Sequence, residues 1–297
     1  GERQVIFMIF AVFGGDKRQA RLAAQLKSDG HTVRAFAMEG AELPAEVIHF
    51  SEITRGAVSD ADCVILPLPA SVKRGYLNAP MAAEDHCIGE VFGAMLPGQI
   101  ACAGITNDYM RSLAELQCVQ LFDYYTREEL LAINAVATAE GAIGILLQET
   151  DAALWQSRIL ILGWGRLGHA LAPRLQAFGA RVSVSARNPG DIAWISAGGF
   201  EPLDTRRLES RLGGFDILIN TIPSLVLTAD RLRELRPSAL VIDLASKPGG
   251  VDFEAAKELG LKTMHALSLP GIWAPETAAA AIKEAVYNIL EEDTGKG

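Results

Sequence analysis

The chain has 297 residues, 49% of them hydrophobic and 21% charged, enough for two α/β domains or one large one with a core that needs no staples. Its net charge of −9, with no long Lys/Arg run, argues against a nucleic-acid surface while leaving room for a local anion pocket. Cys63, Cys87, Cys102 and Cys118 form no C-x-x-C pair and have no His at zinc spacing, so no metal is expected and a reducing cytoplasm is.

The first apolar run, residues 5–13, is too short to span a membrane and lacks the basic leader and cleavage site of a signal peptide, so no membrane association is expected. It reads as a strand over 5–12 that turns at Gly14–Gly15–Asp16 into a helix over 17–28, stopped near Gly30. Further strands are expected over 32–36, 63–66, 99–103 and 119–121, with Pro67, Pro69 and Pro80 marking a loop region after the third. Thr126 and Glu129 have the Thr-x-x-Glu spacing of a capping box, which predicts a long helix over 127–148. It contains no proline, and Gly141 and Gly144 allow close packing, so it reads as the connector between two domains.

The second half alternates more regularly. Strands are expected over 158–162, 181–185, a short stretch near Phe200, 216–220, 239–244 and 262–265, the count of a full dinucleotide-binding domain. Helices are expected over 167–178, after Asp204, after Thr228, from Asp252, and over 275–291, the last opened by Pro275. The fold class that follows is α/β: two doubly wound parallel-sheet domains, 1–150 for substrate and 151–274 for a Rossmann-type cofactor site, with a C-terminal helix (275–297) returning to the first.

The motif that carries chemistry is Gly163–Trp164–Gly165–Arg166–Leu167–Gly168, a G-x-G-x-x-G that follows a strand and opens a helix. Gly163 permits the tight turn, Gly165 lets a pyrophosphate approach, and Gly168 lets the helix pack on the sheet, while the helix N-terminus offers free N–H groups. At the end of the next strand an NAD enzyme usually carries an acid for the ribose hydroxyls; here Ala186 stands there and Arg187 follows, which favours NADP, with Ser185 as a further donor. Two later strand ends belong to the same crevice: Thr221–Ile222–Pro223, facing ribose or nicotinamide, and Leu244–Ala245–Ser246–Lys247, where Ser246 and Lys247 stand ready for an acidic substrate.

A second glycine turn, Gly14–Gly15 followed by Asp16, Lys17, Arg18 and Gln19, lacks the third glycine of a dinucleotide fingerprint and reads as a carboxylate site. Ser71 and Lys73 follow the proline loop at a strand end and join it as substrate contacts, and Glu140 on the connector helix is a candidate proton-transfer group. The Arg and His that many 2-hydroxy-acid dehydrogenases carry have no counterpart in 246–252 or 269–273, which argues against that chemistry.

Four stretches together resemble the family of dipicolinate synthase A subunits from spore-forming bacteria. They are Phe13–Gly14–Gly15–Asp16–Lys17–Arg18–Gln19, Asn134–Ala135–Val136–Ala137–Thr138–Ala139–Glu140–Gly141–Ala142, the Gly163 turn, and Ala266–Leu267–Ser268–Leu269–Pro270–Gly271–Ile272–Trp273–Ala274–Pro275–Glu276–Thr277–Ala278. The resemblance implies NADP-dependent oxidation of a dihydro- or hydroxytetrahydrodipicolinate to the pyridine dicarboxylate, in the mother-cell cytoplasm, with a partner, a flavoprotein-like B subunit. A homo-oligomer is also expected. Two alternatives stay open: another NADP-dependent dehydrogenase of a small carboxylate, and a non-catalytic NADP-binding protein.

Overall fold

The computed structural model describes residues 7–294, so residues 5 and 6 of the expected first strand lie outside the described ones. The chain divides into two compact units, one running to Asn134 and resuming at Ala274, the other Ala135–Trp273.

The first unit holds strands β1 (Ile9–Phe13), β2 (Thr32–Phe36), β3 (Ile48–Phe50), β4 (Cys63–Ile65), β5 (Ile100–Ala103) and β6 (Gln120–Asp123). They form a six-stranded sheet in the order β3-β2-β1-β4-β5-β6, every pairing parallel. The second unit repeats that plan with β7 (Arg158–Leu162), β8 (Arg181–Ala186), β9 (Glu201–Asp204), β10 (Ile217–Asn220), β11 (Leu240–Asp243) and β12 (Lys262–His265), ordered β12-β11-β10-β7-β8-β9. Counted along the sequence within its unit, the first sheet reads 3-2-1-4-5-6 and the second, from its other edge, 3-2-1-4-5-6 again, the doubly wound dinucleotide-fold order. The topological switch points lie between β1 and β4 and between β7 and β10. The central strands are apolar on both faces, as parallel strands covered by helices must be: Ile159 to Leu162 and Phe10 to Phe13 are all buried.

Helix α1 (Lys17–Ser28) begins where Asp16 accepts the Arg18 N–H at 3.0 Å, buries Leu22, Ala23 and Leu26, and ends at Gly30, whose φ of +94° gives the left-handed turn a helix stop favours. Short helices α2 (Arg55–Val58), α3 (Ile88–Ala94) and α4 (Asp108–Leu116) cover the rest of the sheet. Helix α5 (Glu128–Glu149) does not start from a capping box. Arg127 is extended, the Thr126 hydroxyl donates to the Asp123 carbonyl at 2.8 Å, and Glu129 turns to Arg127 and Asn288. The Asn288 hydrogen bond, then the Glu129 backbone and Arg127, hold the Glu129 carboxyl at about 2. By length and composition α5 is apolar enough to cross a membrane, and 50% of its most apolar window is buried within the protein. Leu130 lies in the core of the first unit and Ala139, Ala142 and Leu146 in that of the second, which accounts for the apolar composition.

In the second unit, α6 (Arg166–Ala177), α7 (Pro189–Ala197), α8 (Ala229–Arg233), α9 (Phe253–Glu258) and α10 (Leu269–Trp273) flank the sheet. No α-helix follows Asp204: its carboxylate accepts the Arg206 N–H at 2.9 Å and closes a turn, and only a 3-10 turn, Leu212–Gly214, comes before β10.

The last helix, α11 (Pro275–Thr294), belongs to the first unit and packs on α1. Lys283 Nζ and Tyr287 Oη both donate to Asp29 Oδ2, at 2.6 and 2.8 Å. Burial alone would raise the Asp29 carboxyl, but those two hydrogen bonds outweigh it and hold it below the ordinary value. His31, itself buried, completes the chain: its Nδ1 accepts from Met8 N at 3.3 Å, so Nε2 carries the proton and donates to Tyr287 Oη at 2.8 Å. Burial pushes the His31 imidazole below its usual value, and a second proton on Nδ1 would face the Met8 N–H. The unfolded chain therefore binds a proton that the folded one refuses, and stability is lost as pH falls below the unfolded value of about 6.5. Asp29 adds to that loss only below about pH 4. Denaturant midpoints measured from pH 7.5 to 5.5 should fall for the wild type and stay nearly flat for His31→Gln, which cannot titrate. Equal slopes would exclude the His31 account.

Candidate functional site

The Gly163 turn lies at the carboxyl ends of β7 and β10, at the switch point of the second sheet. Gly163 has φ +107° and donates its N–H to Ser185 O at 3.0 Å; any Cβ there would run into Thr221 Oγ1. Thr221 is itself fixed, its N–H and hydroxyl both donating to Leu162 O at 2.9 and 2.8 Å. Gly168 faces the Gly163 carbonyl, and a Cβ would strike that oxygen. Gly165, the extended N-cap of α6, has nothing within 4 Å of where a Cβ would stand. One glycine thus closes the turn, one seats the helix and one leaves an open face at a helix N-terminus whose first turn, with Arg166 and Leu167, contains no acid. Trp164 points elsewhere: its half-buried ring packs 3.9 Å from the His169 ring and 5.8 Å from that of Phe200.

At the end of β8, Ala186 is buried and Arg187 is exposed, with no hydrogen-bond or ion-pair partner among the described residues. Ser185 is fully buried and its hydroxyl accepts from Thr205 Oγ1 at 2.9 Å, which braces the next strand end. Asp204, the register partner of Ala186, is closed onto Arg206 by hydrogen bonds of 3.0 and 2.9 Å, which with the Arg206 backbone hold its carboxyl at about 2.

Between β10 and β11 lies a network that sequence reasoning missed. Asn220 and Asp243 are register partners, both fully buried, and Asn220 Nδ2 donates to Asp243 Oδ1 at 2.8 Å and to Ile222 O at 2.9 Å. Asp243 also accepts from Ala245 N at 3.1 Å and Gly250 N at 2.7 Å, and Ile222 N donates to Asn220 Oδ1 at 3.1 Å. His265 Nε2 donates to Ala245 O at 2.8 Å. Gly249 and Gly250 are required here, because a Cβ on the first would strike Asp243 and on the second Asn220. The network fixes the backbone of Ile222–Pro223 and of Leu244–Ala245–Ser246 as expected strand-end loops. Exposed Lys247 follows, with no partner among the described residues. Two polar residues ending neighbouring strands, followed by Gly–Gly, were the available signal.

The first-unit turn is committed internally. Gly15 N–H donates to Asn78 O at 2.7 Å, and Asp16 caps α1 with its own carboxylate. Arg18 is buried, doubly bonded to that carboxylate, and donates to Leu68 O at 2.6 Å; Gln19 donates to Phe13 O and Ile65 O at 3.4 and 3.2 Å. The Asp16 carboxylate thus accepts from both the backbone and the guanidinium of Arg18. Arg18 and Gln19 thereby tie the Gly14–Gly15 turn to the end of β4 and the loop after it. Lys17 stays exposed without a partner among the described residues. Ser71 Oγ donates to Lys73 O at 2.7 Å, and Lys73 Nζ lies 3.3 Å from Asp85 and 4.3 Å from the Tyr76 ring centre, both at the surface. Glu140 is also exposed and lies 3.6 Å from Arg174 Nε. Arg174 Nη1 also donates to Ala170 O at 2.8 Å, so the guanidinium that meets Glu140 folds back one turn toward the N-terminal end of α6.

Two six-stranded sheets of dinucleotide-fold order, the second ending its first strand in an open glycine turn, define a two-unit Rossmann-type α/β protein. Residues 9–125 match the family model for the N-terminal domain of the dipicolinate synthase A subunit. Over 286 residues, 95% of either chain, the sequence is 32% identical to the A subunit of dipicolinate synthase from Bacillus subtilis. The crystal structure of that Bacillus subtilis protein superposes with a TM-score of 0.87 at 29% identity, covering 99% of both chains. The crystal structure of the A subunit from Bacillus halodurans gives 0.86 at 29%, covering 95% of this chain and 97% of the other. The chain belongs to the family of dipicolinate synthase A subunits.

Proposed function

We propose that the chain is the NADP-dependent component of a dipicolinate synthase, oxidising a dihydro- or hydroxytetrahydrodipicolinate to dipicolinate in the cytoplasm of a sporulating mother cell. It works beside a flavoprotein-like B subunit. Bound at the Gly163 turn, NADP supplies the hydride acceptor. In this reading the α6 N-terminus takes the pyrophosphate, Arg187 takes the 2′-phosphate, and Thr221, Ile222 and Ala245 border the ribose and nicotinamide. Lys247, with Lys17, Ser71 and Lys73, is assigned to substrate carboxylates. Glu140, paired to Arg174, is the candidate proton-transfer group.

The observation that carries the NADP choice is the end of β8: a free guanidinium at Arg187, no acid at 186, and the neighbouring Asp204 closed on Arg206. A charge-assisted hydrogen bond contributes about 1.5–3 kcal/mol, so Arg187→Ala should weaken NADP binding roughly 10- to 100-fold by calorimetry. NAD binding should change less than about twofold, since NAD lacks the phosphate. Unchanged NADP affinity in the variant would overturn the choice. Turnover is read separately, from the pyridine ultraviolet band formed with precursor and NADP in the presence of the B subunit.

A further inference from the structure

The opposite end of the second sheet carries a cationic depression. There Gln156, Arg158, Arg181, Gly213, Gly214, Asp216 and Arg236 line a depression of about 400 Å³. Arg158 opens β7 and Arg181 opens β8, and the two are register partners. Partners on adjacent strands project side by side, about 5 Å apart, where like charges repel. Neither guanidinium has a hydrogen-bond or ion-pair partner among the described residues, on a chain whose other arginines largely face acids: Arg34 with Asp60, Arg127 with Glu292, Arg206 with Asp204, Arg231 with Glu209.

The one acid in the lining is already engaged. Asp216 accepts from Arg158 N at 2.7 Å and from Arg236 Nη2 at 2.8 Å, and the same Nη2 donates to Gly214 O at 3.0 Å. Three guanidinium groups and one carboxylate leave a net charge of about +2 on a protein of net charge −9. The Arg158 side chain is also held: its guanidinium carbon lies 5.6 Å from the Phe215 ring centre, and a Cβ on Gly214 would come within 2.7 Å of its Nη2. Ligands of doubly wound sheets bind at the carboxyl ends of strands; this site lies at the amino ends, about 16 Å back along β7 from Gly163.

We propose that Arg158, Arg181 and Arg236 form a second anion site for a small molecule bearing a phosphate or diphosphate group. Planar, always-charged guanidinium forks match phosphate oxygens, and the depression has the size of a small-ligand pocket. A bridging dianion also removes the repulsion between the two register partners.

The test is calorimetric titration of the full chain, saturated with NADP, with sodium pyrophosphate. The wild type should bind with one-to-one stoichiometry, and Arg158→Gln and Arg181→Gln should each weaken binding at least tenfold without altering NADP affinity by more than twofold. Without anion, Arg181→Gln should melt at or above the wild-type temperature, because it relieves a like-charge pair. No pyrophosphate binding by the wild type, or equal binding by the variants, overturns the site. So does arginine-dependent binding of a polyglutamate peptide with none of pyrophosphate, which would assign the patch to a protein partner. A melting temperature lowered in Arg181→Gln would make Arg181 structural and overturn it too. Each arginine variant is compared with the wild type, so the result is read independently of whether NADP fills the Gly163 turn.

Discussion

Gly168→Ala should weaken dinucleotide binding roughly a hundredfold and destabilise the second unit, while Gly165→Ala should weaken binding alone. Gly168 is buried and faces the Gly163 carbonyl, which cannot retreat: Gly163 holds φ +107° and its N–H is tied to Ser185 O. The added methyl must push α6 off the sheet, and Leu171, Ala172 and Leu175 of that helix lie in the core. Overpacking of this kind costs about 1–3 kcal/mol, and a shift of about 1 Å in a site of this type costs roughly a hundredfold in function. Gly165 meets nothing within 4 Å, so its methyl fits the empty turn and protrudes only where a pyrophosphate would approach. Calorimetry with NADP and thermal unfolding separate the two variants. If Gly168→Ala keeps affinity within threefold, the glycine is not seating the helix. If Gly165→Ala does so, phosphate does not enter over that residue.

The sheets were largely legible because buried parallel strands write themselves as apolar runs. The expected 158–162 and 262–265 coincide with β7 and β12, and 17–28 with α1. What escaped had weak or local signals. Strand β3 is three residues long, at the sheet edge and mostly exposed, with polar His49 in its middle, so it shows no alternation. Asp204 makes the same capping contacts with Arg206 that Asp16 makes with Arg18, yet no helix follows, and the N–H groups of Ser210 and Leu212 donate to the distant Glu234 instead. Thr126 and Glu129 had the right spacing, yet Glu129 found Asn288, 159 residues away, and no local rule foresees that partner. The site divides the same way. The glycine turn and Arg187 are local and could be read directly. The self-capture of Arg18 by Asp16 required knowing that the guanidinium points back under the loop. The Asn220–Asp243 pair required the register of two strands 23 residues apart.

That pair carries the second large effect. Asp243→Ala should cost about 3–5 kcal/mol, because it strips the partner from three buried donors at once: Asn220 Nδ2, Ala245 N and Gly250 N. Water is a poor substitute there, with Asp243 and Asn220 both fully buried. Asp243→Asn should cost less, since an amide keeps one acceptor oxygen but turns an NH2 toward one of the donors. Denaturant unfolding measures both, and the order Ala worse than Asn worse than wild type is expected. The functional consequence follows from what the network holds. Asn220 carries the Ile222–Pro223 turn and Asp243 the 245–250 loop, so loosening both should raise the apparent Kd for the dinucleotide even in the Asn variant, under conditions where it is fully folded. An Asp243→Asn protein with wild-type stability and wild-type NADP affinity would show that the carboxylate matters to neither. Lys247 sits inside that loop, and its side chain has no partner of its own among the described residues. Its placement therefore depends on backbone held by Asp243, and loss of turnover in Asp243→Asn should exceed the loss of NADP affinity if Lys247 meets the substrate.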